Sequence, residues 1–146
     1  MVTVTGTVLI DRSSRDVFAI VGSYENDPKW RSGVSEMRHD PPGEVRIGMV
    51  THEVVRFMGR TMDIDARIVE YEPGCKTAFR TVSEVLSAQG FRLVEEEGTR
   101  TRFTYHSDVE LDAAYRPFTA LIRWVFNRRV AKDLQKVKAI LETPQT

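Results

Sequence analysis

Apolar residues recur at three- and four-residue steps along the last part of the chain, a spacing that places side chains on one face of an α-helix. This pattern predicts a long amphipathic helix over residues 113–142. Such a long stripe needs a broad partner surface, which the middle of the chain must supply. The residues of the stripe are Phe118, Leu121, Ile122, Val125, Phe126, Val130, Leu134, Val137 and Leu141.

The middle of the chain alternates apolar and polar residues, as half-buried β-strands do. In the clearest strand, Phe103, Tyr105, Ser107, Val109 and Leu111 share one face. A hairpin with Gly59 and Arg60 as its two-residue loop would also separate an apolar from a polar face. In that register the pairs are Phe57 with Met62, Val55 with Ile64, Glu53 with Ala66 and Thr51 with Ile68, and Met58 pairs with Thr61 on the polar face.

The start of the chain predicts a strand followed by two short helices. The strand carries alternating valines around Gly6, which is a candidate bulge. Ser13 and Asp16 form a capping-box-like pair before an apolar helix that ends near Gly22. Pro28 suits the first turn of a second helix that contains Trp30. The predicted order is one strand, two short helices, six strands and a long helix.

Length and charge narrow the class of protein. A chain of 146 residues predicts a single domain over residues 1–146. Its 21 basic and 21 acidic side chains cancel, which argues against nucleic acid as a partner. Cys75 is the only cysteine, so no disulfide framework is expected, and this fits a reducing cytoplasm. The first ten residues do not resemble a signal peptide, and no apolar run approaches the ~20 residues of a membrane span.

The order of these elements resembles the START-like helix-grip superfamily (SRPBCC), in its polyketide cyclase/dehydrase and lipid-transport branch. The similar segments are residues 13–18, 28–30 with 33–34, Gly48, 69–74, 97–101 and 134–142. The resemblance implies an α+β helix-grip fold, in which a curved antiparallel sheet of about seven strands wraps around the C-terminal helix. It also implies an internal cavity between the sheet and that helix for a small hydrophobic or amphipathic ligand.

Glu53 is the candidate with the most chemical consequence. The predicted register places it on the apolar face, where a carboxylate removed from water would hold a proton more readily and suit general acid–base chemistry. The alternative is that Glu53 lies near the end of the sheet and reaches solvent or an arginine. We favour this alternative because unpaired buried carboxylates are rare.

The other candidates are inward-facing aromatic, apolar and hydroxyl side chains, together with one arginine at the cavity rim. Each has a simpler interpretation as a packing residue, and for Tyr105 and Ser107 the hydroxyl could instead orient a ligand. Trp30 ranks first among the aromatic residues because the resemblance places it near the mouth of the cavity. The predicted ligand-binding set is Trp30, Val55, Phe57, Ile64, Phe79, Thr81, Phe91, Phe103, Tyr105, Ser107 and Arg123.

Three functions remain open. The first is a binding module for a small hydrophobic molecule, which the apolar inner face favours. The second is an enzyme resembling polyketide cyclases, in which Glu53 and Tyr105 transfer protons without a cofactor. The third is membrane contact through the basic residues of the last helix, although a solvated helix face explains them more simply. No metal is expected because the three histidines lack a ligand spacing. The sequence leaves the ligand and the oligomeric state open.

Overall fold

The computed structural model describes residues 1–57, 59–83 and 86–144. Its seven strands form one antiparallel sheet in the order β1-β7-β6-β5-β4-β3-β2. The strands are β1 (Val2–Ile10), β2 (Val34–Asp40), β3 (Val50–Phe57), β4 (Arg60–Glu72), β5 (Lys76–Thr81), β6 (Ser87–Glu97) and β7 (Arg100–Glu110). The α-helices are α1 (Ser14–Val21), α2 (Asp27–Trp30) and α3 (Thr119–Glu142), and 3₁₀ helices cover Tyr24–Asn26 and Ala113–Phe118.

This arrangement confirms the predicted α+β helix-grip fold. The one difference in the C-terminal element is that residues 113–118 form a 3₁₀ helix and the α-helix begins at Thr119. Pro117 explains the break, because a proline disfavours α-helical geometry at the residue before it. The hydrophobic stripe therefore starts in the 3₁₀ helix and continues in α3.

Helix α1 begins and ends where its sequence predicts. The Ser13 hydroxyl accepts a hydrogen bond from the Asp16 backbone N–H at 3.2 Å, which satisfies one free donor of the first turn. At the other end, the Gly22 N–H donates to the Phe18 carbonyl at 2.8 Å. The helix buries Val17, Phe18 and Val21.

The β3–β4 hairpin has the predicted faces but not the predicted register. Phe57 pairs with Arg60, Val55 with Met62, Glu53 with Ile64 and Thr51 with Ala66, so every predicted pair was wrong by two residues. A two-residue shift leaves each side chain on its original face, because side chains alternate with a period of two. Arg60, which was predicted to lie in the loop, pairs with Phe57 as the first residue of β4, and Gly59 directly before it has a φ of +79°. The predicted partner of Thr61, Met58, lies outside the described residues.

Gly6 permits a close approach between β1 and α3. The pairing of β1 with β7 is continuous through Gly6, so the predicted bulge was wrong. A Cβ atom at this position would lie 2.7 Å from Leu134 Cδ1 and 2.9 Å from Val130 Cγ1. The missing side chain lets the second half of α3 pack directly on the sheet. Leu134, Val137 and Leu141 join the main hydrophobic core there.

Candidate ligand-binding cavity

A cavity of about 660 Å³ lies between the inner face of the sheet and the first half of α3. This volume falls in the range of small-molecule sites, roughly 300–1,000 Å³. Its walls are mainly apolar side chains of the sheet, closed over by α3. The large apolar residues of the wall include Met37, Val55, Phe57, Met62, Ile64, Phe79, Ile122 and Phe126.

Most of the predicted site residues line this cavity. The structure places together Trp30, Glu53, Val55, Phe57, Ile64, Phe79, Thr81, Tyr105 and Ser107. Trp30 is 1% exposed and lies beside the buried Arg92, so its predicted place near the mouth of the cavity was wrong. Thr81 uses its hydroxyl within the sheet, donating to the Ala88 carbonyl at 3.2 Å and accepting from the Ala88 N–H at 2.9 Å. The Thr81 side chain therefore closes the wall more than it offers a free polar group.

Three predicted residues lie outside the cavity, which corrects their assignment as lining residues. Phe91 lies on the outer face of β6, where its ring stacks on His106 with centroids 4.9 Å apart. Phe103 is fully buried in the main core, 5.8 Å from the Trp30 ring. Arg123 is exposed on the outer side of α3. Side-chain direction removes Phe91 and Arg123 from the site. Phe103 points inward like Tyr105, but its position along β7 places it in the packed core.

A buried ion pair forms the inner end of the cavity. Asp27 is fully buried, and its two carboxylate oxygens accept from Arg92 Nη1 at 2.8 Å and Arg92 Nη2 at 2.6 Å. Arg92 Nη1 also donates to the Val21 carbonyl at 3.0 Å. Burial alone lowers the pKa of Arg92, but the charge and hydrogen bonds of Asp27 raise it above its ordinary value. This bidentate geometry compensates both charges for the loss of water.

Aromatic rings surround the Arg92 guanidinium. The centres of the Tyr24, Trp30 and Tyr105 rings lie 4.2, 5.3 and 5.9 Å from its carbon atom. Cation–π attraction is strongest where water is excluded, so these rings further stabilise the buried charge. The Tyr24 hydroxyl is held by Thr77 at 2.8 Å, and burial raises the pKa of Tyr24.

Arg31 links this buried pair to Glu53. Arg31 Nη1 donates to Asp27 Oδ2 at 3.0 Å and lies 2.7 Å from Glu53 Oε1. The second contact is an ion pair without an aligned hydrogen bond, since Glu53 Oε1 has no hydrogen-bond partner among the described residues. Burial alone lowers the pKa of Arg31, but the charge of Glu53, followed by Tyr105 and Asp27, raises it well above its ordinary value. Of the two alternatives for Glu53, the structure shows the contact with an arginine.

Side chains of α3 fix the loop that carries Arg31. Asp133 is buried and accepts from the Ser32 N–H at 3.0 Å and from the Ser32 hydroxyl at 2.5 Å. Arg129 donates to the Ser32 carbonyl and, at 3.0 Å, to the Arg56 carbonyl. Burial lowers the pKa of Arg129. These bonds join α3 to both the α2–β2 loop and the β3–β4 hairpin, so they hold the cavity wall in place.

The other end of the cavity meets the surface. Arg60, Glu110, Asp112 and Tyr115 line it and are exposed, which places an opening between the hairpin and the segment that precedes α3. Arg60 Nη1 lies 3.4 Å from the Tyr115 hydroxyl across this opening. A molecule entering here would pass apolar walls before it reached the buried ion pairs.

The charged residues of the inner end were not among the site residues predicted from the sequence: Asp27, Arg31, Arg92, Arg129 and Asp133. A signal for Arg92 was present in the β6–β7 hairpin. A two-residue loop at Gly98 and Thr99 pairs Arg92 with the inward-facing Tyr105, as the structure shows. Phe91 and Leu93, the apolar residues on either side of Arg92, suggested the opposite assignment, in which these two residues face inward and Arg92 faces outward. No comparable pattern marks Asp27 or Asp133, whose contacts depend on the tertiary packing of α2 and α3.

Other reactive groups lie away from the cavity. Cys75 occupies the turn between β4 and β5, and burial, followed by the charge of Glu72, raises the pKa of its thiol. Within residues 1–57, 59–83 and 86–144, no three His, Cys, Asp or Glu side chains are grouped to hold a metal ion. None of the helices described is both long and apolar enough to cross a membrane.

Comparison with known proteins supplies the family. The model of the polyketide cyclase/dehydrase and lipid transport family matches residues 1–142. Solved structures share the fold at low identity: TTHA0849 from Thermus thermophilus has a TM-score of 0.81 at 14% identity, covering 95% of this chain and 96% of its own. No curated protein matched the sequence.

Two structural neighbours are aromatase/cyclases. The Zhui aromatase/cyclase from Streptomyces sp. R1128 has a TM-score of 0.74 at 13% identity, covering 96% of this chain and 93% of its own. The di-domain aromatase/cyclase BexL of the BE-7585A biosynthetic pathway has a TM-score of 0.74 at 19% identity, covering 98% of this chain and 50% of its own. At these identities the neighbours establish the fold alone. The match over residues 1–142 shows that the chain belongs to the polyketide cyclase/dehydrase and lipid transport family.

Proposed function

We propose that this protein binds a small amphipathic molecule in the cavity between the sheet and α3. The observation that carries the proposal is the asymmetry of the cavity: apolar walls lead from an exposed opening to the charged cluster of Asp27, Arg31, Glu53 and Arg92. Apolar walls favour the burial of ligand surface at about 25 cal/mol per Å². A few polar groups at one end would fix the orientation of the ligand.

The apolar part of the ligand would contact the side chains of β3, β4 and α3. Phe57 and Phe126 stack with ring centroids 4.6 Å apart, and both line the cavity. Arg129 lies 5.3 Å from the Phe57 ring and adds a further contact there. These rigid groups keep α3 away from the sheet, so the space exists before a ligand enters and little reorganisation opposes binding.

Native mass spectrometry tests the proposal on the purified protein. The expected result is a mass above that of the chain, which disappears in a denatured sample of the same preparation. Ligand-free protein that also fails to take up 2-naphthol would contradict the proposal. Ile122→Phe, which narrows the cavity, should lower the occupancy relative to the protein without the substitution.

A second candidate is acid–base catalysis in the same cavity, resembling that of a polyketide cyclase. It is favoured by the placement of Glu53 and Tyr105 on the cavity wall, and two fold neighbours are aromatase/cyclases. In this function Glu53 would accept a proton and Tyr105 would donate one during ring closure of a poly-β-ketone. Loss of turnover in Glu53→Gln, with binding of naphthalene retained, is the expected result. Turnover that survived the substitution would exclude Glu53 as the proton acceptor.

We also propose that the protein works in the cytoplasm. A chain whose only cysteine is Cys75 forms no internal disulfide and does not require an oxidising compartment. Cell fractionation checks this location, and recovery in a membrane or secreted fraction would contradict it.

A further inference from the structure

In the charged cluster at the inner end of the cavity, only one of the two carboxylates, Asp27, has hydrogen bonds from protein groups to both oxygens. Asp27 has both oxygens occupied, because Oδ1 accepts from Arg92 and Oδ2 accepts from Arg92 and Arg31. Asp27 therefore offers no free oxygen to a ligand. Its role is to hold Arg31 and Arg92 in fixed positions, since a carboxylate bound to two guanidinium groups permits little rotation of either.

Glu53 is the carboxylate of the cluster that lacks a full set of hydrogen-bond partners. Its Oε1 is buried and accepts no hydrogen bond from any described residue, whereas the side chain as a whole keeps the 13% exposure with which it borders the cavity. Arg31 Nη1 is 2.7 Å from Oε1 in an ion pair that lacks hydrogen-bond alignment, and it donates a hydrogen bond to Asp27. An ionised carboxylate has about four acceptor positions, and leaving them empty when buried is costly. Glu53 therefore presents an unused acceptor to the cavity that it lines.

Unused donors accompany this acceptor. Trp30 Nε1 and Arg92 Nε are buried and have no hydrogen-bond partner in the described part of the chain, and both side chains line the cavity. These two nitrogens are enclosed by protein, so the polar group that the cavity presents is the Glu53 carboxylate, and a ligand group that meets it must donate a hydrogen bond, as a hydroxyl group does. A ligand that only accepts, such as a ketone or an ether, would leave Glu53 unsatisfied.

The charge of the cluster selects against ionised ligands. Two guanidinium groups, Arg31 and Arg92, balance two carboxylates, Asp27 and Glu53. A ligand carboxylate would add an unpaired negative charge beside Glu53, and an ammonium group would add an unpaired positive charge beside Arg31. Uncompensated charge is expensive where water is excluded.

We infer that Glu53 makes the cavity selective for neutral ligands that carry a hydroxyl group, an alcohol or a phenol, which donates a hydrogen bond to this carboxylate. The inference rests on the proposed ligand-binding function and adds the chemical class of the ligand. Glu53 is the specificity-determining residue, and Arg31 positions its carboxylate through the ion pair.

Three probes of matched ring size test the inference by isothermal titration at neutral pH: naphthalene, 2-naphthol and 2-naphthoate. The expected order of affinity is 2-naphthol, then naphthalene, then 2-naphthoate. A hydrogen bond to a charged acceptor predicts that 2-naphthol binds roughly tenfold or more tightly than naphthalene. The carboxylate of 2-naphthoate should weaken binding below that of naphthalene.

Glu53→Gln removes the charge and keeps the size of the side chain. It should reduce the preference for 2-naphthol over naphthalene by roughly fivefold or more and improve binding of 2-naphthoate, because Arg31 then lacks one carboxylate partner. The matched control is Glu36→Gln, an equal charge change at an exposed position of β2 outside the cavity lining. The control should keep the order and ratios of the unsubstituted protein.

The outcomes separate this inference from the proposed function. Equal affinity for 2-naphthol and naphthalene, or tightest binding of 2-naphthoate, would overturn the role of Glu53 and leave cavity binding standing. Failure of all three probes to bind would contradict both. Circular dichroism would show whether Glu53→Gln folds. If it does not, the affinities of the three probes for the unsubstituted protein still decide whether the inference holds.

Discussion

The two halves of α3 carry the same hydrophobic stripe but perform different tasks. In residues 131–142, Leu134, Val137 and Leu141 are buried in the main core against β1 and α1. In residues 119–130, Ile122 faces the cavity, whereas Leu121 and Trp124 are more than half exposed. One half of the helix closes a core, and the other half closes a ligand site.

The residues opposite each half explain this difference. Gly6 lets Leu134 and Val130 approach the backbone of β1. Across the cavity, the bulky Phe57 meets Phe126, and Arg129 reaches the Arg56 carbonyl. Small groups bring the helix onto the sheet at one end, and long side chains keep it away at the other. The partner surface therefore determines whether an apolar stripe becomes core or cavity wall.

Shortening one apolar side chain in each half of α3 should give the largest difference in the free energy of unfolding. Leu134→Ala is expected to lower the free energy of unfolding by about 3 kcal/mol, because it creates a void in packed core. Ile122→Ala should cost only about 1 kcal/mol, because its side chain already borders open space. Urea denaturation of both variants measures the difference. Equal losses would contradict the distinction between the halves.

The next largest effect on stability is expected from adding a methyl group to β1 where α3 packs directly on it. Gly6→Ala places a Cβ within 2.7 Å of Leu134, so we expect a loss of about 1–3 kcal/mol from overpacking. Thr7→Ala, at an exposed position of the same strand, is the control and should change stability by less than about 0.5 kcal/mol. Thermal or urea denaturation provides the comparison. A neutral Gly6→Ala would show that α3 moves freely over β1.

Filling the cavity should affect binding more than stability. Ile122→Phe places extra volume in the ligand site, so the affinity for 2-naphthol should fall roughly tenfold, while the free energy of unfolding changes by less than about 1 kcal/mol. Leu121→Phe introduces the same ring one residue away, on the exposed side of α3. It should leave affinity unchanged. Similar losses in both variants would place the ligand elsewhere.

Acid pH should slightly reduce the stability that Glu142 contributes at the end of α3. Hydrogen bonds from Lys138 and from the Asp11 N–H lower the pKa of Glu142. A lowered pKa stabilises the fold above the ordinary glutamate value of about 4.3, and this contribution is lost as the pH falls through and below that value. The difference in melting temperature between the unsubstituted protein and Glu142→Gln should shrink by roughly 1–3 °C from pH 6 to pH 3. A constant difference would exclude Glu142 as the cause.

Much of the fold was predictable because strand alternation and helical periodicity are local signals. The faces of β7, the Ser13 cap and the order of the elements all follow from residues that are close in sequence. The β3–β4 register was harder, since a two-residue shift preserves both faces and only the loop geometry at Gly59 distinguishes the alternatives.

The candidate site was less predictable because its inner end is assembled from distant segments. Apolar wall residues such as Val55 and Ile64 follow from the strand pattern, whereas Asp27 and Arg92 are 65 positions apart and meet only in the folded chain. An arginine in an inward position contradicts the usual preference for apolar residues there, so Phe91 was assigned to the cavity in place of Arg92. The expected chemistry of Glu53 also depended on a partner, Arg31, that no local pattern identifies.

The most direct measurement is a two-dimensional ¹H–¹⁵N NMR titration of the protein with 2-naphthol. We expect chemical-shift changes in residues 119–130 of α3 and in the facing parts of β3 and β4, with Glu53 among the most affected. Signals of residues 134–142 and of the outer face around Phe91 should remain in place. Changes concentrated in the second half of α3 or on the outer face, or no changes at all, would contradict the claim that the space beneath the first half of α3 is a ligand site.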